Sequence, residues 1–134
     1  MKRGGMSKYF KYIYLDSGIH CFRWLDRSEA GVDEFFKFIN QLYSEVPSKN
    51  QTILILHDYR EVTALPVPKI QSSITTLQNQ YPHLKRKIAY LSDDALIKTL
   101  IDSLTLMSRR TGERQYFNAN KEQQAINWLL TDND

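Results

Sequence analysis

The amino-acid sequence predicts a single α/β domain. Its mixed, mostly parallel sheet opens with an N-terminal hairpin and carries packed helices, in the order β-β-α-β-α-β-α-β-α. Three observations support this. Two aromatic, β-branched runs flank Asp16-Ser17-Gly18 near the N-terminus. After them, stretches with apolar residues at helical spacing alternate with short, continuous apolar runs. The chain of 134 residues has the length of one domain with its own core, and it contains no repeat or linker at which to divide it.

YFKYIYL (residues 9–15) and IHCFRWL (residues 19–25) form the hairpin. Gly18 takes a positive φ at little cost, and Asp16 and Ser17 can bond the local backbone. Phe10, Tyr12 and Tyr14 share one face, and Tyr9, Lys11, Ile13 and Leu15 share the other. Large side chains on both sides predict a sheet at least partly covered on each.

From Val32 the period changes. Val32, Phe35, Phe36, Ile39, Leu42 and Tyr43 form a helical stripe, stopped by Pro47 and the polar SKNQ. TILILHDY (residues 52–59) has the continuous apolar character of a central strand. A second helix begins at Pro66 and Pro68, packs through Ile70, Ile74, Leu77 and Tyr81, and ends at Pro82. RKIAYLS (residues 86–92) is the next strand.

Ser92 and Asp93 suit the cap of a third helix, whose stripe is Ile97, Leu100, Ile101, Leu104 and Met107. Arg109 and Arg110 close its last turn, and Gly112 ends it. RQYFNA (residues 114–119) supplies the last strand. Asn120 with Gln123 matches a capping box for a final helix packed through Ala125, Ile126 and Leu129. Right-handed crossovers join the later, parallel strands. Residues 1–7 read as a flexible extension ahead of one domain over residues 8–134.

Composition excludes several classes. Hydrophobic residues at 42% and charged residues at 25% fit neither a disordered nor a membrane chain. The longest strongly apolar run, residues 53–56, is too short to span a bilayer, and the N-terminus lacks a secretory pattern, so a cytoplasmic location is expected. A single cysteine, Cys21, forbids an internal disulfide and reads as a small hydrophobe. The basic clusters HLKRK (residues 83–87) and SRRTGER (residues 108–114) accompany a net charge of only +3. They read as solvated strand and helix ends, and the aromatics lie in strands, which argues against a nucleic-acid surface.

His20, His57 and His83 have no metal-ligand spacing, and no phosphate-binding or nucleophile-elbow motif is present, so neither metal nor cofactor is expected. Asp58 is the best single catalytic candidate. It ends an apolar strand, where open α/β sheets place their ligand crevice, with Asp93 and Asp94 after the next strand. Three carboxylates on one edge could hold magnesium. The alternative, that Asp58 bonds amides of its own loop while Asp93 and Asp94 serve the third helix, carries more weight. Catalysis would need Asp58 with His57 or Asp93, and no activating partner can be placed.

The element order, the strand ending in Asp58, the Asp-x-x-x-Val-Thr continuation and the closing YFNANKEQQAINWL resemble a STAS-type domain. The similarity is to the SpoIIAA-like branch, named for the anti-sigma-factor antagonist of sporulating bacteria, and it covers nearly the whole chain. The resemblance implies a non-catalytic regulatory module that binds a protein or small ligand at the start of the second helix. In the regulatory members that helix opens with an Asp-Ser-Ser-Gly-like stretch, whose serine is phosphorylated by a partner kinase. Here the position is Pro66-Val67-Pro68-Lys69, with no such serine, so the switch is not expected.

The expected binding edge therefore comprises Asp58, Tyr59, Arg60, Thr63, Pro66, Val67, Pro68, Lys69, Ser92 and Asp93, with no catalytic residue. Its occupant is a protein partner or a small apolar ligand, and a second copy of the chain is a further candidate partner. The alternative is a carrier of small apolar molecules, with a pocket between sheet and helices.

Overall fold

The N-terminal hairpin forms as its residues dictate. Gly18 has a φ of 93°, its amide donates to the Leu15 carbonyl, and the Leu15 amide donates to the Ile19 carbonyl, each at 2.9 Å. A computed structural model describes residues 4–45, 51–107 and 112–131. In chain order they form β1 (Gly4–Met6), β2 (Phe10–Tyr14), β3 (Ile19–Trp24), α1 (Glu29–Ser44), β4 (Thr52–Asp58), α2 (Val67–Gln80), β5 (Lys85–Leu91), α3 (Ala95–Met107), β6 (Gly112–Phe117) and α4 (Glu122–Leu130).

The expected order is present, with one short strand added in front. Gly4–Met6 pairs antiparallel with β2, so this part of the expected flexible extension is sheet. The reason is the outer edge of β2, whose backbone groups need partners and find them in the preceding segment.

The sheet runs β1-β2-β3-β4-β5-β6 in sequence order, antiparallel through β3 and parallel from β3 to β6. Each crossover steps the same way along the sheet, and right-handed crossovers stepping one way put their helices on one face. The core follows that rule. Val32, Phe35 and Ile39 of α1, Ile70 and Ile74 of α2, and Ile97 and Ile101 of α3 bury with Phe22, Ile55 and Ile88 of the strands. The other face is covered through α4, where Ala125 and Leu129 pack on Ile19, Leu56, Ala89 and Leu91. Ile13 of the hairpin stays exposed there, so cover on that side is partial.

Local signals decide the helix ends. Ser28 caps α1, its hydroxyl accepting the Gly31 amide at 3.1 Å. Pro66 precedes α2, and Pro68 sits in its first turn, where no amide donor is needed. The expected capping box on α4 does not form. Lys121 holds the N-cap position, no side chain caps the end, and Glu122 bonds elsewhere. Gly112 is the first residue of β6. The expected features at Pro47, Arg109 and Arg110 lie outside the described residues.

The basic run before β5 is a further correction. Arg86 and Lys87 are 3% and 4% exposed, because strand alternation aims them at opposite covered faces. Lys87 points toward α4. Its ammonium donates to the carbonyls of Trp128 and Thr131 and lies 4.6 Å from the Trp128 ring centroid. These bonds fix the C-terminal end of α4, where the helix dipole favours a cation. Lys87→Met should cost about 1–3 kcal/mol in urea denaturation, by removing the donor to the Trp128 and Thr131 carbonyls at the end of α4. Lys85→Met, at an exposed position of the same strand, should change the midpoint little.

Candidate functional site

The carboxyl end of β4 divides between the two faces. Ile53, Ile55, His57 and Tyr59 belong to the core under α1–α3, whereas Leu54 and Leu56 pack on the α4 side. Alternation places Asp58 with the second set. His57 and Asp58 are thus on opposite faces of the sheet and cannot act on one substrate atom.

Asp58 is 5% exposed and fully engaged. Its carboxylate accepts the Arg60 amide at 3.0 Å, Arg60 Nε at 3.0 Å and Nη2 at 2.7 Å. Arg60 Nη2 also donates to Glu122 at 2.7 Å, joining the end of β4 to the first turn of α4. Burial alone would push the Asp58 carboxyl up. The Arg60 hydrogen bonds and charge, with Arg23 farther off, outweigh burial and hold it below the usual carboxylate range. Nearby, burial and then Asp58 and Glu122 push the Cys21 thiol up to about 11, which keeps it protonated and unreactive.

On the same edge, the segment between β4 and α2 is pinned by the loop after β5. Asp94 accepts the Ala64 amide at 3.1 Å and the Leu96 amide at 3.0 Å, tying the segment to the start of α3. Ser92 Oγ accepts the Asp94 amide at 2.9 Å, and Asp93 accepts the Ala119 amide at 3.0 Å from the loop before α4. Asp94, not Ser92 or Asp93, therefore serves the first turn of α3. Ala64 has a φ of 54°, uncommon for a residue with a side chain, and the Asp94 bond and the buried neighbours Val62 and Leu65 hold it there.

Of the expected binding residues, Tyr59, Arg60, Thr63, Ser92 and Asp93 line one open depression of about 430 Å³, together with Ala64 and Leu96. The others lie apart from that lining. Asp58 sits on the α4 side, and Pro66, Val67, Pro68 and Lys69 continue along the start of α2. Lys69 is paired with Asp33 of α1 at 2.8 Å. Tyr59 contributes its backbone edge, since its ring is buried and stacked on His57 at 5.6 Å.

A second set of polar residues lies under α1 and α2, in a cavity of about 40 Å³ between sheet and helices. That is room for a few water-sized groups. Tyr43, His57, Gln78, Arg86, Tyr90 and Arg114 line it among apolar side chains. Sequence reasoning missed Arg86 and Arg114 by reading their clusters as solvated. The available signal was phase: Arg86 is in step with Ile88 and Tyr90, which face the core. Among the described residues, no group of three acidic, His or Cys side chains could hold a metal.

His57 is buried neutral, and burial, with Arg114 adding to it, pushes its pKa down to about 3. Its unfolded value is about 6.5, so between these values the unfolded chain binds the proton and the folded one does not. Stability from this residue is therefore complete above about pH 6.5 and falls as the pH drops toward 3. Trp24 Nε1 donates to His57 Nδ1 at 3.2 Å, and an amide oxygen could take its place as acceptor. His57→Gln should lose roughly 2 kcal/mol less stability than the unmodified chain between about pH 7 and pH 5, measured by urea unfolding. An unchanged loss would show that His57 is not the group responsible.

The family model described as SpoIIAA-like matches residues 22–130, from β3 to the end of α4. No curated protein and no solved structure matches the chain. No helix among the described residues is long and apolar enough to cross a membrane. With most of its length matched and the expected α/β element order in place, the chain belongs to the SpoIIAA-like family.

Proposed function

We propose that the chain is a non-catalytic regulatory module of STAS-like type that docks a protein partner on the edge formed by the β4–α2 segment and the β5–α3 loop. The observation that carries this reading is the use made of the acidic groups there. Asp58 is spent on Arg60, Asp93 on the Ala119 amide, and Asp94 on the amides of Ala64 and Leu96. A general base has to reach a substrate proton, and both oxygens of Asp58 and of Asp94, with one oxygen of Asp93, already accept from structural donors. They create a stiff surface with Thr63, Ala64 and Leu96 outermost, and Leu96 is 55% exposed. Exposed apolar side chains on a rigid frame suit protein contact, because little ordering entropy is lost on binding.

The partner senses shape and contact at this edge, without a serine switch, since Pro66-Val67-Pro68-Lys69 offers no hydroxyl at the start of α2. Ser72, farther along, is bonded back to the Lys69 carbonyl at 3.1 Å. Carriage of a small apolar molecule is the weaker reading, because the cavity under α1 and α2 holds only a few small groups and has arginines in its lining.

Affinity capture with the immobilised chain, from lysate of the source organism, tests the docking edge. A partner held by the unmodified chain should bind at least about tenfold more weakly to the double variant Thr63→Arg, Leu96→Arg. Ile13→Arg, an exposed change on the hairpin, should retain it. Equal capture by the double variant, with its fold verified by circular dichroism, would exclude this edge as the docking site.

A further inference from the structure

The cavity under α1 and α2 has an unusual lining for a core. Arg86 of β5 and Arg114 of β6 are 3% and 9% exposed and lie on the same face of the sheet. Arg86 pairs with Gly112 and Ile88 with Arg114, so the two arginines are diagonal neighbours on adjacent strands. Both approach Gly112: a Cβ there would lie 3.6 Å from Arg114 Nη1 and 3.9 Å from Arg86 Cβ. Arg86 also hydrogen-bonds Tyr43, with its guanidinium 5.7 Å from the Tyr43 ring centroid.

The other polar groups add donors. His57 Nδ1 accepts from Trp24, so the proton of the neutral ring sits on Nε2. Gln78 Nε2 is buried and finds no hydrogen-bond partner among the described residues. Among the described residues lining the cavity, the charged ones are the two arginines, and none is a carboxylate. The remainder is largely apolar, including Phe35, Ile39 and Ile74.

We propose that this cavity is a binding site for a small organic monocarboxylate. The carboxylate is received by the guanidinium groups of Arg86 and Arg114 and the Gln78 amide, and the short hydrocarbon end lies against the α1 and α2 side chains. Guanidinium forks match carboxylate geometry, and such charge-assisted bonds strengthen away from water. The volume of about 40 Å³ limits the ligand to a few heavy atoms. This site is independent of the docking edge, which lies at the carboxyl ends of the strands.

Sodium propionate is the probe, with sodium nitrate and n-propanol as controls for charge alone and hydrocarbon alone. The chain has two tryptophans, which make the indole N–H signals in a nitrogen–proton NMR spectrum a selective readout. Trp24 lines the cavity, whereas Trp128 lies on α4 over the other face. Propionate should shift the Trp24 signal saturably and leave Trp128 in place, with nitrate and n-propanol at least about tenfold weaker. Arg114→Met should weaken propionate by about tenfold or more, and Gln78→Leu, a milder change on α2, should weaken it severalfold. Absence of a saturable Trp24 shift overturns the proposal. So does an equal response to nitrate, or undiminished binding by a folded Gln78→Leu variant.

Discussion

The direction in which the sheet is built governs the rest of the molecule. From β3 onward each strand is added on the same side of its predecessor, and right-handed connections then place α1, α2 and α3 on a single face. The strand order never reverses within the parallel part, so the sheet has no topological switch point at which to open a ligand crevice. Two unequal compartments result. One is a thick layer under three helices, rich in aromatic rings around Phe22. The other is a thinner layer that α4 covers over β4 and β5. Neighbouring residues at the end of β4 are consequently parted, with His57 in the first compartment and Asp58 in the second.

The thinner compartment has few apolar contacts, and α4 is held over it partly by charge. At its first turn Glu122 meets Arg60, which is also forked onto Asp58. At its last turn Lys87 reaches the Trp128 and Thr131 carbonyls. The two attachments differ in weight. Arg60 and Glu122 have side chains 38% and 48% exposed, so solvent screens that pair, and exposed pairs contribute about 0–1 kcal/mol. Lys87 and Asp58 are buried, and removing either partner of a buried hydrogen-bonded charge leaves the other desolvated and unmatched. Lys87 of β5 is thus the stronger anchor of α4, and Asp58 acts mainly by holding Arg60 in place.

Much of this architecture was legible in the sequence because it rests on local rules. The Asp16-Ser17-Gly18 turn, the stripe from Val32 to Tyr43, and the prolines opening α2 each act over a few residues, and each lies where alternation or helical spacing puts it. What could not be read depends on residues far apart in the chain. Arg60 and Glu122 are 62 positions apart, and Ala64 and Asp94 are 30 apart, so nothing in the neighbourhood of Asp58 or Asp94 reveals that its oxygens are already committed. The strand at Gly4–Met6 carries no apolar pattern, and it pairs because the β2 edge is available. Arg86 is a different failure. Its phase with Ile88 and Tyr90 was visible, but the positive run around it suggested solvent.

The two arginines are an electrostatically costly way to fill this part of the core. Burying a guanidinium costs several kcal/mol before any compensation, and replacing buried charged groups with well-packed apolar ones is often neutral or stabilising. Tyr43 gives Arg86 a hydroxyl and a ring face, which supply a hydrogen bond and a quadrupole but no formal charge in the neutral phenol, whose pKa burial pushes up to about 12. Each guanidinium also opposes the other: burial, with Arg114 contributing, pulls the Arg86 pKa down, and Arg114 adds to the suppression of His57. A leucine or methionine at either position would fill the space under α1 and α2 with less electrostatic cost. An anion seated between the guanidinium groups reverses that balance, because it meets both charges where little water screens them.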